Sequence, residues 1–154
     1  MTWYWSRPAI LALLLLAGPA PAAWAQQFEA GLQGVATLAD RAFAGGGVSL
    51  GWRSGPRARV VAMGALGSDD GDGPAVRGEL TAHFLLSPRS RRATLYAGGG
   101  IAGVAGPHGE AGFVVLALGI ESRPSARTGW VLETGLGGGV RVLVGYRWRW
   151  GRSR

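Results

Sequence analysis

The chain has no cysteine among its 154 residues, and this absence excludes two classes of exported protein. A disulfide-stapled scaffold needs paired cysteines, and a lipid-anchored lipoprotein needs one at its mature amino terminus. Lysine and asparagine are also missing, so every basic residue is arginine. This bias is typical of genomic base composition, so it does not indicate a site that requires arginine rather than lysine.

Long apolar runs are scarce, and the most pronounced one lies at the amino terminus. Ile10–Ala17 is apolar and follows one positive charge at Arg7, while Ala23 and Ala25 supply the small residues of a signal-peptidase site. Glycine and proline at positions 18, 19 and 21 make the run too short for a retained membrane anchor. We predict a secretory signal at residues 1–25, followed by a single domain at 26–154 that begins with Gln26.

The composition of the remaining chain excludes several further classes. Over the full sequence, the 28 glycines show no collagen-like period, and an apolar content of 47% is too high for a disordered protein. A net charge of +7 would suit nucleic acid as a partner, but an exported chain does not meet nucleic acid. We therefore predict no nucleic-acid partner.

Segments of about ten alternating residues recur along the mature chain, and clusters of Gly, Pro, Ser, Asp and Arg separate them. Their length matches the roughly 9 to 11 residues of a tilted membrane strand. Lipid does not tolerate an open sheet edge, so these segments predict an all-β fold: an eight-stranded antiparallel up-and-down transmembrane barrel. The predicted strands are Phe28–Leu38, Phe43–Arg53, Ala58–Leu66, Ala75–Leu86, Ala93–Val104, Ala111–Glu121, Gly129–Leu136 and Val140–Trp150.

The last predicted strand shows the membrane pattern most clearly. Side chains of a strand alternate between two faces, so the even positions from Val140 to Trp150 form one apolar and aromatic face. The opposite face carries Arg141, Arg147 and Arg149. An apolar face opposite a charged one is typical of a wall between lipid and a polar lumen.

An even strand number puts both termini at one end of the barrel, which in outer-membrane barrels is the periplasmic end. The connections then sort by charge: Arg-rich turns lie at the periplasmic end, and Asp40, Ser68–Gly73 and His108–Glu110 lie outside. The sequence leaves open whether Asp69, Asp70 and Asp72 bind divalent cations. Large aromatic residues collect at the periplasmic strand ends, where they predict one girdle at the lipid headgroups. They are Phe28, Trp52, Phe84, Trp130, Trp148 and Trp150.

In these features the chain resembles the small eight-stranded bacterial outer-membrane barrels of the OmpA and OmpX type. The resemblance is one of architecture, and its most specific piece is the carboxy-terminal assembly signal, matched by Gly145, Trp148 and Trp150. Leu143 stands where the family has a polar residue, and four residues follow Trp150. The resemblance implies the barrel-assembly machinery and outer-membrane lipids as partners; no protein partner is indicated.

The lumen of an eight-stranded barrel has room only for side chains. Taking the more apolar alternation as lipid-facing places a charge network inside, which we interpret as a salt-bridge plug in a barrel with a structural role at the envelope surface. A narrow pore for small solutes and a soluble periplasmic lipocalin-like barrel are the alternatives. The predicted lumen network is Glu29, Arg77, Glu79, His83, Glu133 and Arg141.

No catalytic or cofactor site is predicted. Only His83 and His108 could act as a histidine base, and no serine lies within four residues of His83. Neither histidine has an evident set of further ligands, so we predict no metal. Finally, parity around the glycines at 137–139 predicts that Glu133 lies directly opposite Arg141 in a hairpin whose three-residue loop is centred on Gly137.

Overall fold

The structure is a computed structural model that describes residues 27–39, 42–88, 90 and 92–151. Most of these residues lie in eight β-strands. They form one closed antiparallel barrel in chain order, which confirms the predicted fold. The predicted signal at 1–25, Gln26, Asp40 and the tail at 152–154 lie outside the described residues. The strands are β1 (Gln27–Leu38), β2 (Phe43–Arg53), β3 (Ala58–Asp69), β4 (Pro74–Leu85), β5 (Ala93–Gly106), β6 (Gly109–Ser122), β7 (Thr128–Leu136) and β8 (Val140–Trp150).

Each strand pairs with its neighbours in the chain, and β1 closes the ring by pairing with β8 from Phe28↔Trp150 to Leu38↔Val140. The start of β1 and the end of β8 therefore lie at the same end of the barrel, which we call the terminal end. The turns at 54–57, 86–92 and 123–127 also lie there. The opposite end, which we call the loop end, carries the connections at 39–42, 70–73, 107–108 and 137–139, none longer than four residues.

At the loop end, β3, β5 and β6 extend beyond the bounds that the sequence pattern predicted. β3 continues to Asp69 because Gly67, Ser68 and Asp69 stay in the ladder with β2, and this buries Asp69. The prediction that Asp69 belongs to the loop is therefore wrong, because Asp69 is the last inward residue of β3. β5 and β6 likewise extend to a two-residue turn, because Gly106 pairs with Gly109.

Inward glycines allow neighbouring strands to approach closely. A Cβ built at Gly47 would overlap the carbonyl oxygen of Gly64, and one at Gly135 would overlap that of Leu116. No side chain fits at these two positions, so they fix where the sheet curves tightly enough to close with eight strands.

The predicted register of the last hairpin is wrong by two residues. Leu136 pairs with Val140, so the loop is Gly137–Gly139 and Glu133 lies opposite Leu143. The positive φ values fall at Gly138 and Gly139, 79° and 124°, and not at Gly137. The Gly137 N–H donates to the Gly139 carbonyl at 3.0 Å, and this bond closes the loop one residue later than predicted. A shift of two residues preserves parity, so Glu133 and Arg141 still share the inner face.

Within the described residues, we find no α-helix with the length and apolar character that a membrane span requires.

Candidate functional site

The interior of the barrel is charged, and it is the part of the molecule with the densest chemistry. All six members of the predicted lumen network point inward and are buried, each less than 7% exposed. Gln33 and Thr81 lie inside as well. The same alternation places six further charged residues inside that the sequence analysis did not assign to the network: Arg53, Arg59, Asp69, Glu121, Arg147 and Arg149.

The half of the lumen nearer the loop end holds a balanced set of ion pairs, built on Glu79 and Arg141. Arg141 contacts both oxygens of Glu79, with Nη2 at 2.6 Å from Oε2 and Nε at 2.9 Å from Oε1. It also pairs with Glu133 on the neighbouring strand. Arg77 Nε donates to Glu79 at 2.7 Å, and its Nη2 donates to the Gly137 carbonyl at 2.8 Å. Two carboxylates therefore meet two guanidinium groups.

The Arg141–Glu133 pair forms although the two residues are not directly opposite one another. Diagonal positions on neighbouring strands are about 7 to 8 Å apart, and the arginine side chain is long enough to span the offset. The predicted contact between these two charges is therefore present, but the predicted register that was to produce it is not.

The half nearer the terminal end is not balanced. Its two carboxylates, Glu29 and Glu121, lie among four arginines. Glu121 is fully buried and accepts from Arg53 Nη2 at 2.8 Å and Arg149 Nη2 at 2.7 Å, while its second oxygen accepts from Arg59. Arg147 Nη1 lies 3.5 Å from the same second oxygen.

Glu29, on β1, faces the same four arginines. Its Oε1 lies 2.6 Å from Arg53 Nε and 3.5 Å from Arg149 Nε. Its Oε2 lies 3.3 Å from Arg59 Nη1 and 3.9 Å from Arg147 Nη1. The short Arg53 contact is an ion pair without hydrogen-bond alignment, since neither Arg53 Nε nor Glu29 Oε1 has a hydrogen-bond partner among the described residues.

His83 and Tyr96 connect the two halves. Arg59 Nη2 lies 3.1 Å from His83 Nδ1, and because a guanidinium only donates, Nδ1 accepts and Nε2 carries the proton. The imidazole stacks on Tyr96, whose hydroxyl donates to Glu133 at 2.6 Å. Arg59 also lies over the Tyr96 ring, 5.1 Å from its centre. His83 therefore lies among structural partners.

The outer wall has the opposite character. Large apolar side chains there are between 40% and 71% exposed, as at Trp52 and Leu66. Among the described strand residues, Glu110 near the start of β6 is the one charged residue of this face. The predicted girdle residues lie at the terminal end of this wall, where Phe28 pairs with both Trp52 and Trp150. Trp148 is half-buried and packs edge-to-face on Tyr146 at 5.2 Å.

The acidic turn at the loop end has structural contacts of its own. Asp70 accepts from the Ala42 N–H at 2.6 Å, and Asp72 lies 3.2 Å from His108. Over the described residues, no group of three or more His, Cys, Asp or Glu is placed to hold a metal ion. Gly145, of the predicted assembly signal, lies on the inner face beside Gln33, with which it pairs.

Comparison with solved structures adds a second line of support for the architecture. The amino-terminal β-barrel domain of Pseudomonas aeruginosa OprF matches with a TM-score of 0.61 at 13% identity, over 80% of this chain and 97% of that one. This chain has the fold of a small outer-membrane barrel. The outer-membrane protein OprG from Pseudomonas aeruginosa matches with a TM-score of 0.51 at 7% identity, over 84% and 97% of the two chains. Neisserial surface protein A matches with 0.50 at 11%, over 80% and 96%.

No protein-family model and no curated protein matches the chain. Identities this low show the outer-membrane barrel fold alone, so the role of this particular barrel has to be argued from its own wall and lumen.

Proposed function

We propose that this protein is an integral outer-membrane barrel whose lumen is closed by ion pairs and whose role at the envelope surface is structural. One observation carries the proposal: the barrel is apolar outside and charged inside. A soluble protein has the reverse arrangement, with its charges in water and its large apolar side chains in the core.

The exposed apolar area of the outer wall is far larger than that of a typical soluble protein. The largest patch on a typical soluble monomer is about 300 to 600 Å², whereas here apolar residues cover the exposed face of all eight strands. A strand of 11 residues such as β8, at about 3.3 Å per residue and a tilt of about 45°, spans about 26 Å of membrane. That height matches the apolar band of about 25 Å on outer-membrane barrels. A soluble lipocalin-like barrel is disfavoured for both reasons.

The lumen favours a plug over a pore. Arg59, Arg141 and Glu121 are each at most 1% exposed, so the long side chains that cross the interior leave little surface for solvent. Each is held by at least two charged partners, of which at least one reaches from across the barrel. The short connections at the loop end offer little surface for an adhesin or receptor role.

The remaining parts of the proposal concern biogenesis and surroundings. Residues 1–25 would direct export and be removed, and the last strand, with Gly145, Trp148 and Trp150, would be recognised by the barrel-assembly machinery. Outer-membrane lipids are the proposed surroundings of the wall, with the aromatic girdle at their headgroups. We propose neither an enzymatic activity nor a cofactor.

The first prediction concerns location. The mature protein should begin at Gln26 and sediment with outer membranes, and its gel mobility should change on boiling because a folded barrel resists detergent. Amino-terminal sequencing and fractionation measure both. Recovery of the chain as a soluble periplasmic monomer would contradict the proposal.

The second prediction concerns conduction. Wild-type protein in planar bilayers should show no steady current, because side chains fill the lumen. The double variant Glu79→Ala/Arg141→Ala shortens two of these side chains together and leaves the net charge of the lumen unchanged, and it should conduct measurably more. A steady wild-type current unaffected by this change would instead favour a narrow pore along another path.

A further inference from the structure

The terminal half of the lumen carries more positive charge than its acids can neutralise. Arg53, Arg59, Arg147 and Arg149 share only Glu29 and Glu121, which leaves an excess of two positive charges. Every one of these six side chains is at least nine-tenths buried. An arginine does not lose its proton inside a protein, so the excess cannot be removed by titration.

The same region contains donors that no described side chain or backbone group satisfies. They include Arg59 Nε, Arg147 Nε and the side-chain nitrogen of Gln33. Buried charges and buried donors are costly unless they are paired. Arg59 and Arg147 both approach the same oxygens of Glu29 and Glu121, so their like charges are also close together.

Register places two of these donors side by side. Gln33 pairs with Gly145 of β8, and Arg147 is the next inward residue of that strand. Such a diagonal pair is about 7 to 8 Å apart at the backbone, within reach of long side chains. The register thus places an amide donor and a guanidinium donor at diagonal inward positions of one patch of lumen wall, and Arg147 belongs to the group with uncompensated charge.

We propose that this patch binds a small inorganic anion of the size of chloride. The anion would accept from Arg147 Nε and Gln33 Nε2 and would lie in the field of Arg59. The narrow lumen sets the size, because its interior is occupied by side chains and excludes a bulky organic anion. The half around Glu79 and Arg141, where Asp69 is also buried, has no excess of positive charge and is not expected to bind one.

The test compares salts at equal ionic strength. Wild-type protein folded in zwitterionic detergent is unfolded with urea, and the transition is followed by tryptophan fluorescence in sodium chloride, bromide or gluconate. Chloride at ten times its dissociation constant should raise the folded-to-unfolded ratio about tenfold, and above that constant the ratio should keep rising in proportion to the chloride concentration. Bromide should act similarly, whereas gluconate should not.

Two variants supply the missing compensation in different ways. Gln33→Glu adds a carboxylate at the patch, and Arg147→Met removes one excess charge while keeping an unbranched side chain; both should abolish the chloride effect. Ser125→Glu adds the same charge at an exposed position of the terminal-end turn, and it should keep the effect. If one lumen variant fails to fold, the other still decides.

Three outcomes would overturn the proposal. The first is a gluconate effect equal to that of chloride, which indicates general charge screening. The second is a stability that depends on no salt, which indicates that water alone satisfies the donors. The third is a chloride effect that both lumen variants retain. An anomalous bromide peak beside Arg147 and Gln33 in crystals grown from bromide would support it directly.

Discussion

Replacing Glu121 with glutamine is expected to lower the free energy of unfolding by about 3 to 5 kcal/mol, the usual cost of removing one partner from a buried charge network. Glu121 is the fully buried acid on which Arg53, Arg59 and Arg149 converge. Without its charge, four arginines would face Glu29 alone. Urea unfolding in detergent or lipid vesicles measures the effect.

The control is Glu110→Gln, which makes the same chemical change at an exposed position near the start of β6. Its effect should stay within about 0.5 kcal/mol. A double variant, Glu121→Gln/Arg53→Gln, should recover part of the loss because it removes one of the stranded cations. Equal stability of Glu121→Gln and wild type would show that water screens the lumen and that the ion pairs contribute little.

Placing an arginine at Leu80 is expected to destabilise the protein in lipid by about 2 to 4 kcal/mol, the cost of a cation at the bilayer midplane of a barrel wall. Leu80 lies near the middle of β4, faces outward at 43% exposure and pairs with Ala62 and Ile101. Both of these cross-strand partners are apolar. Chemical unfolding from phospholipid vesicles measures the change.

Leu86→Arg is the matched control, since Leu86 shares the outward parity of Leu80 but lies just beyond the end of β4. An arginine there would reach the headgroups, so the cost should be no more than about 1 kcal/mol. If the two variants are equally stable, the wall faces water and the protein is a soluble barrel. A soluble barrel would tolerate an arginine at any exposed leucine.

The alternation of residue types predicted the strands and their faces well, because a barrel wall has only two environments and side chains alternate between them. β2 and β8 have the bounds that were predicted. The same rule, carried to the strand ends, would also have found Arg53 and Arg59, since Trp52 and Val60 face outward. Arg53 and Arg59 were left out of the predicted network because they lie at strand ends beside an arginine-rich turn, and Tyr96 lacked a charge that would have marked it as part of the network.

Register and pairing could not be read from parity alone. A shift of two residues keeps every side chain on its face, so the pattern around Glu133 and Arg141 fits two registers equally well. The hydrogen bond within Gly137–Gly139 decides between them, and three successive glycines carry no sequence signal for its position. The surplus of arginine in one half of the lumen likewise depends on which strands bring their charges together.

The pairing of β1 with β8 also determines when this molecule can fold. Its register joins Phe28 to Trp150, almost the full described length of the chain, and contacts between such distant residues are entropically expensive and slow to form. Until the final strand is synthesised, β1 and β7 have no partner on one side, and their free edges can pair with another chain. A chain that lacks its last strand would therefore be an open sheet with two unpaired edges and not a barrel.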